Sequence, residues 1–328
     1  MKTVAYCHPL VPSEWIESHG LRAAWLVPHD VEAAAEAGPL TGTCPFARAV
    51  GDTLASPDEV GLGAEPLAVL TTTCDQMRRM SGILDETRPG DVFLLNVPST
   101  RQSPASREYY ANELRRLGRW LVARGGQSPS AERLANAMRR QDAAREAFRR
   151  GERPADAPTW CNPVAMEFTV EAGRNGGADG VVLGLIGGPL RRRDLAVARC
   201  VRAAGGRIVL DATTGGVDLL PAAFDPTTLA RDPFDELVRA YFDELPAVFD
   251  RPNDRLHAWI ARRVAERGVR GLLCLRHVWC DLWHAALPRL KETAGVPILD
   301  IDLGDELRGG ESRLAERIEA MIESLRQD

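Results

Sequence analysis

The chain has 328 residues, of which 45% are hydrophobic and 27% are charged, and its formal net charge is −5. This length is sufficient for two α/β domains, each with its own hydrophobic core. The acidic balance gives no basis for binding nucleic acid or an anionic membrane. No apolar run approaches the roughly 20 residues that a transmembrane helix needs, and the amino terminus lacks the apolar region of a secretory signal. We therefore expect a cytoplasmic protein.

Strand-like apolar runs alternate with helical segments along the chain, which is typical of parallel α/β sheets. The runs are KTVAYC, RAAWLV, LAVLTTT and DVFLLNV in the first half, and GVVLGLIG, GRIVLD, RGLLCL and VPILDID in the second. Each half therefore predicts a Rossmann-like domain with a four-stranded parallel sheet. A charged stretch with helix-spaced apolar residues lies between them. We predict an amino-terminal α/β domain over residues 1–100, a helical insert over 101–155 and a carboxyl-terminal α/β domain over 156–328.

Inside the insert, the segment GGQSPSAE indicates that a second helix begins. Ser128 is predicted as its N-cap, Pro129 as its first residue and Glu132 as part of its first turn. The insert is therefore expected to be a pair of helices.

A Cys-Asp pair follows the third strand of each half, as a weak internal repeat. Cys74 and Asp75 stand in TTTCDQM, and Cys280 and Asp281 stand in HVWCDLW. In open α/β sheets, ligands bind outside the carboxyl ends of the strands, where helices begin. We expect the two aspartates to stabilise the helix starts by interacting with exposed N–H groups. Direct ligation of a metal by these carboxylates is disfavoured beside sulfur ligands.

Cys44 has a related position, because Pro45 suits the first turn of a helix and leaves Cys44 as its N-cap. A thiol at the N-terminus of a helix has a lowered pKa, which favours the thiolate that binds metals. The seven cysteines are odd in number and irregularly spaced, so we do not expect disulfide bonds in a reducing compartment.

The residues alone leave two interpretations of these cysteines open. A single cysteine is most often a small buried hydrophobic residue, and this interpretation fits Cys200 in a helix and Cys274 inside a strand. Cys44, Cys74 and Cys280 all lie where helices are expected to begin, but their spacing matches no compact Cys-x-x-Cys signature. A shared metal site and separate buried thiols are both compatible with the pattern.

Four segments, in their order and separation, resemble the family of 2-hydroxyacyl-CoA dehydratase and benzoyl-CoA reductase subunits. They are TCPFARAVGD, TTTCDQMRRMSGIL, LLNVPST and HVWCDLW, and the resemblance extends over nearly the whole chain. It implies two Rossmann-like domains with one [4Fe–4S] cluster between them. In this resemblance, Cys44, Cys74 and Cys280 are the ligands of the cluster.

The same resemblance implies the chemistry. Three thiolates leave one iron able to bind water, sulfide or a substrate oxygen. The implied substrate is a CoA thioester, whose carbonyl takes one low-potential electron to give a ketyl radical anion. Dehydratases then expel the 2-hydroxyl group, whereas in benzoyl-CoA reductases the electron enters an aromatic ring. The sequence has no Gly-x-x-x-x-Gly-Lys-Ser/Thr loop, so a separate ATP-hydrolysing iron–sulfur activator is implied, together with a homodimer or a heterodimer with a related subunit.

Three alternatives remain open at this stage. Some relatives hold a double-cubane cluster with six cysteines, and Cys7 and Cys161 are additional cysteines that such a cluster would need. A subunit that only relays electrons or supports its partner is the second alternative. The third is a zinc site completed by His277, three residues before Cys280.

Four further residues are candidates for substrate binding. Arg191 follows the Gly187-Gly188 turn and can hold the phosphates of CoA, although a tight turn followed by a solvated basic helix face is the more economical interpretation. Asp211, Thr213 and Thr214 follow another predicted strand, where they can face substrate or cap a helix.

Overall fold

The structure is a computed structural model that describes residues 1–28, 42–150, 152, 158–171, 180–304 and 310–327. The chain forms two compact units, each built from segments that are not contiguous in sequence. The predicted boundary between the insert and the carboxyl-terminal domain, at residues 155 and 156, lies outside the described residues. The first unit comprises Met1–Leu26, Val50–Asn162 and Leu220–Pro252, and the second comprises Val27–Ala49, Pro163–Leu219 and Asn253–Asp328.

In the described residues, eight strands form where the sequence predicts them. They are β1 (Thr3–Tyr6), β2 (Arg22–Trp25), β3 (Leu67–Thr71), β4 (Val92–Leu95), β5 (Val181–Gly187), β6 (Gly206–Thr213), β7 (Gly271–His277) and β8 (Ile298–Leu303).

The helices connect these strands in an alternating order. They are α1 (Ser13–Ser18), α2 (Pro45–Ala55), α3 (Asp75–Thr87), α4 (Pro104–Ala123), α5 (Ala131–Arg149), α6 (Pro163–Glu171), α7 (Ala196–Ala203), α8 (Pro226–Arg231), α9 (Pro233–Val238), α10 (Asp254–Glu266), α11 (Asp281–Thr293) and α12 (Gly310–Gln327). A π-helical turn follows α9 at Arg239–Glu244. In the part of the chain that the structure describes, no helix combines the length and apolarity needed to cross a bilayer.

The first unit contains a parallel sheet in the order β2-β1-β3-β4. Its two central strands, β1 and β3, are buried along their whole length. Such continuous burial is typical of a parallel sheet that helices cover on both faces. The predicted fold class is therefore confirmed for this unit.

The helical insert is present in the first unit as α4 and α5, but the predicted start of the second helix is wrong by two residues. That helix begins at Ala131, and Ser130 caps it by accepting the N–H of Arg133 on its hydroxyl at 3.1 Å. Ser128 and Pro129 lie before the cap. The hydroxyl that satisfies an exposed N–H group of the first turn decides the helix start, and here Ser130 provides it. Glu132 is in the first turn, as predicted.

A buried cluster of polar side chains ties the insert to α1. Arg145 of α5 forms an ion pair with Glu14 of α1, and these side chains are 1% and 0% exposed. Tyr241, in the π-helical turn, donates its hydroxyl to Glu14 Oε2 at 2.6 Å, and Arg145 Nη2 lies 3.2 Å from that hydroxyl. Because a buried charge is stable only when it is paired, this cluster fixes three segments of the first unit together.

The second unit repeats the topology of the first. Its parallel sheet has the order β6-β5-β7-β8, which is again second-first-third-fourth in chain order. Helices α7 and α12 pack against each other on this sheet, and their apolar residues Val201, Ile318 and Ile322 belong to its core. The weak repeat of two Cys-Asp pairs in the sequence thus corresponds to a repeated fold.

Candidate functional site

The candidate site is defined by where the order of strands reverses. In each sheet the chain moves from the first strand to one neighbour and then returns to the other, so the reversal lies between β1 and β3, and between β5 and β7. Ligands of open α/β sheets bind outside the carboxyl ends of strands at such a switch point. Cys74 follows β3 and Cys280 follows β7. Both cysteines therefore occupy the position predicted from the sequence.

Three cysteines have the same local backbone role. The carbonyl oxygens of Cys44, Cys74 and Cys280 accept the N–H group four residues later at 2.9, 3.0 and 3.0 Å, respectively. Each cysteine is followed at once by the first residue of a helix, α2, α3 or α11, so all three are N-caps, as predicted. Each therefore lies at the positive end of a helix dipole, which favours negative charge.

The three threonines before Cys74 hold the end of β3 in place. Thr72 accepts the N–H of Val97, which follows β4, on its hydroxyl at 3.0 Å. The hydroxyls of Thr71 and Thr73 lie 2.7 Å apart and share a hydrogen bond. These bonds continue the strand pairing beyond the sheet, and they fix the backbone that leads into Cys74.

The two aspartates lie at the helix starts, as predicted, and their interaction with exposed N–H groups stays a prediction. Asp75 and Asp281 are the first residues of α3 and α11. Asp75 is largely exposed and forms an ion pair with Arg78 on the same helix. Its carboxylate thus points to solvent and to a neighbouring guanidinium.

Cys7 lies close to Cys74 in the first unit. It follows β1 directly and is 6% exposed. Burial raises the pKa of the Cys7 thiol to about 12, and the nearby Cys74 sulfur adds to the rise. Cys7 is therefore a protonated thiol near neutral pH. Cys161, 4% exposed, has its pKa raised to about 12 by the same cause.

His8 is the neutral neighbour of Cys7. Burial lowers the pKa of His8 to about 3, and the positive charge of Arg101 acts in the same direction. The neutral ring accepts the N–H of Leu10 on Nδ1 at 3.2 Å. Arg101 itself forms an ion pair of 3.1 Å with Asp250, and both side chains are at most 3% exposed.

In the second unit, a ring contact brings the other two cysteine segments together. The rings of Phe46 and His277 have centroids 5.7 Å apart. Phe46 is two residues after Cys44, and His277 is three residues before Cys280. The start of α2 and the end of β7 are therefore neighbours, whereas Cys74 belongs to the first unit.

His277 has a structural role that disfavours the zinc alternative. Its Nε2 lies 2.8 Å from the carbonyl of Pro189, and its Nδ1 lies 3.3 Å from the carbonyl of Leu303. Burial lowers the pKa of His277, which favours the neutral ring. A neutral ring donates one hydrogen bond, and the shorter contact, to the carbonyl of Pro189, is the better candidate for it. Because both nitrogens face backbone carbonyls, neither is directed toward a metal.

Arg191 is buried rather than part of a solvated basic face. It is 2% exposed, its N–H donates to Asp194 Oδ2 at 2.7 Å, and its Nη2 lies 3.4 Å from the carbonyl of Gly304. The next residue, Arg192, is exposed and pairs with Glu167. Binding of CoA phosphates by Arg191 stays a prediction.

Polar residues at the carboxyl end of β6, Asp211 and Thr213 inside the strand and Thr214 directly after it, close the end of that strand. Asp211 Oδ1 accepts the N–H of Thr213 at 3.1 Å and its hydroxyl at 2.6 Å. Thr214 donates its N–H to the carbonyl of Gly187 at 3.1 Å. They lie at the carboxyl edge of the second sheet, as predicted, and their contact with substrate stays a prediction.

The donor atoms near the cysteines are compatible with a sulfur-rich metal group. All seven cysteines are described, and none forms a disulfide bond. The described residues gather no set of three or more His, Cys, Asp or Glu side chains suited to a metal ion. Thr43, beside Cys44, is 1% exposed, and its hydroxyl has no hydrogen-bond partner among the described residues. A buried donor in this state suits an acceptor that the described residues do not supply.

Comparisons with known proteins identify a family but no close relative. The family model described as 2-hydroxyglutaryl-CoA dehydratase, D-component, matches residues 10–325. No curated protein matches the chain. Among solved structures, the SBP FpvC from Pseudomonas aeruginosa in complex with Mn²⁺ is 11% identical, with a TM-score of 0.24 and coverage of 99% of this chain and 98% of that chain. The laminin-binding protein Lbp of Streptococcus pyogenes is 13% identical, also with a TM-score of 0.24, and 99% of this chain and 98% of that chain are covered.

Proposed function

Because the chain belongs to the family of the 2-hydroxyglutaryl-CoA dehydratase D-component, a family of dehydratase-type enzyme subunits, we propose that it is the iron–sulfur subunit of an enzyme that acts on 2-hydroxyacyl-CoA thioesters. One structural observation carries the proposal. Cys74 and Cys280 each cap the helix that follows the third strand of a parallel sheet, at the switch point where ligands bind. Two equivalent thiols at two equivalent sites are expected if both serve one ligand.

In this proposal, Cys44, Cys74 and Cys280 hold one [4Fe–4S] cluster. Such a cluster, when bound, supplies one low-potential electron and one iron with an open coordination position. The protein contributes the arrangement of the thiols. Three helix N-termini favour the thiolate form, the threonine hydrogen bonds fix the approach to Cys74, and the contact between Phe46 and His277 holds two cysteine segments together.

The surroundings of the remaining cysteines support one cluster rather than two. Cys274 is 0% exposed inside β7, and burial raises the pKa of its thiol to about 12. Cys200 packs from α7 against the apolar core of the second unit. With these two committed to packing, five of the seven cysteines remain. A double-cubane cluster held by six cysteines would need one more.

The proposal includes a protein partner for the electron. The sequence has no Gly-x-x-x-x-Gly-Lys-Ser/Thr loop that would bind ATP phosphates. A separate ATP-hydrolysing iron–sulfur activator would therefore donate the electron, and a second copy or a related subunit would complete the enzyme. Product analysis separates dehydration from ring reduction, and turnover of the isolated chain against the assembled complex separates a catalyst from an electron relay.

Anaerobic purification followed by metal and sulfide analysis tests this function. We expect a brown protein with about four irons and four sulfides per chain. Cys74→Ser should lose iron and any activator-dependent and ATP-dependent turnover of a CoA thioester. Cys274→Ser is the matched control, because it exchanges the same atoms inside a strand and should keep its iron. Stoichiometric zinc without sulfide, or full iron in Cys74→Ser, would contradict the proposal.

A further inference from the structure

We propose that the Thr43 hydroxyl donates a hydrogen bond to a sulfur atom of the iron–sulfur group held by Cys44, and that it thereby raises the reduction potential of this group. The inference rests on the proposed function. Thr43 is not one of the proposed iron ligands. Its sequence position directly before a cysteine is the same as that of Thr73.

The hydroxyl of Thr43 is buried and unpaired among the described residues. Thr43 is 1% exposed, so bulk water does not reach it. Its Oγ1 has no hydrogen-bond partner in the part of the chain that the structure describes. Buried polar side chains almost always find a partner, because leaving one unpaired costs the free energy of its desolvation. The hydroxyl therefore calls for an acceptor other than the side chains and carbonyls of the described residues.

The residues that precede the other two cysteines differ from Thr43. Thr73 precedes Cys74 and is also buried, at 5% exposure, but its hydroxyl is paired with Thr71 at 2.7 Å. Trp279 precedes Cys280 and is exposed. Of these three residues, Thr43 is the one with a buried hydroxyl that has no hydrogen-bond partner among the described residues.

Thr43 is adjacent to Cys44, whose carbonyl begins α2, and the segment is anchored by the ring contact of Phe46 with His277. Thiolate and sulfide sulfurs accept hydrogen bonds. Such bonds stabilise the reduced form, which carries one more negative charge, and they are an established lever on cluster potential. The donor is therefore suited to make reduction of the group easier.

The test is a redox titration of anaerobically purified protein, followed by electron paramagnetic resonance. Thr43→Val, which keeps the shape and removes the donor, should retain iron and shift the potential to a more negative value. Thr43→Ser should keep the wild-type potential. Thr53→Val is the control, since Thr53 is 0% exposed but lies in α2 about 13 Å along the helix from Cys44 at 1.5 Å per residue. It should leave the potential unchanged even if it lowers stability.

A second measurement keeps the inference testable if Thr43→Val fails to bind iron. Thr43→Ala then replaces it, and pulsed electron paramagnetic resonance in D₂O compares wild type, Thr43→Ser and Thr43→Ala. A deuteron coupled to the cluster should be present in the first two and lost in the third. An unchanged potential in an iron-loaded Thr43→Val protein, or no such deuteron in wild type, would overturn the inference while leaving the cluster intact. A wild-type protein without iron and sulfide would refute the proposed function as well.

Discussion

The ring of Phe46 lies 5.7 Å from the ring of His277, and this contact joins the first turn of α2 to the carboxyl end of β7. Both residues are buried, at 3% and 1% exposure. His277 is in turn fixed by the carbonyls of Pro189 and Leu303. This aromatic contact to an immobilised ring thus helps to hold the Cys44 segment beside the carboxyl end of β7.

Phe46→Ala should weaken this connection. Deleting a buried phenylalanine ring typically costs about 3–5 kcal/mol in the free energy of unfolding, and here we also expect lower iron occupancy under conditions where the protein stays folded. Phe93→Ala is the matched control, because Phe93 is 4% exposed and belongs to β4 of the first unit. Urea unfolding should show similar losses of stability in the two variants. Iron analysis should show a loss of iron in Phe46→Ala alone. Equal iron in both variants would contradict the role given to this contact.

His8 should make stability dependent on pH. Burial lowers its pKa to about 3, below the value near 6.5 expected in the unfolded chain. The unfolded state therefore binds the proton first as pH falls, so this contribution is complete above pH 6.5 and is lost as pH falls toward 3. At about 1.36 kcal/mol per pH unit, lowering the pH from 6.5 to 5 should cost up to about 2 kcal/mol.

His8→Asn removes this titration while retaining an acceptor for the N–H of Leu10. Urea unfolding of wild type and His8→Asn between pH 5 and pH 7.5 measures the difference. As the pH falls, we expect the free energy of unfolding of wild type to decrease more than that of His8→Asn. A constant gap over this range would show that His8 is not held neutral.

Gly187 should tolerate no side chain. Its φ is +142°, and an added Cβ would collide with the carbonyl oxygen of Leu275 in the neighbouring strand. Gly187→Ala should therefore destabilise the second unit by more than about 3 kcal/mol, beyond an ordinary mutation. Gly61→Ala is the control, with φ +72° and no atom within 4 Å of the added Cβ. Gly61→Ala should lower the free energy of unfolding by only about 1–2 kcal/mol. Similar losses of stability for both variants in thermal unfolding would argue against the collision at Gly187.

The sequence predicts the strands and the N-cap cysteines because these depend on local patterns. Apolar runs bounded by polar residues identify β3 and β7, and Pro45 identifies the start of α2. Other features depend on contacts between distant segments, for which the local sequence has no signal. The ion pair of Glu14 with Arg145 is one example. The burial of Arg191 is another, since its partners include the carbonyl of Gly304. Thr43 and Thr73 precede cysteines alike, and only the structure distinguishes their hydroxyls.

Trp279, directly before Cys280, combines two unfavourable properties. Its φ is 68°, in the left-handed region that costs a bulky residue about 1–2 kcal/mol, and its side chain is 60% exposed. Among the described residues it is the one non-glycine residue with positive φ. Strain of this kind persists where function requires it. We therefore expect Trp279 to contribute to turnover and not to stability.

Trp279→Gly should separate the two. Glycine adopts positive φ without steric cost, and removing an exposed indole loses little packing. The greater freedom of glycine in the unfolded chain offsets part of the relieved strain, so the variant should be more stable by about 0.5–1 kcal/mol. Its iron content should match wild type, because Cys280 keeps its place as N-cap, while activator-dependent turnover of a CoA thioester should fall. Trp279→Phe, which keeps an aromatic ring, should retain more of that turnover than Trp279→Gly. Chemical unfolding, iron analysis and turnover on the three proteins decide the matter. A Trp279→Gly protein that is less stable and fully active would show that the indole serves the fold instead.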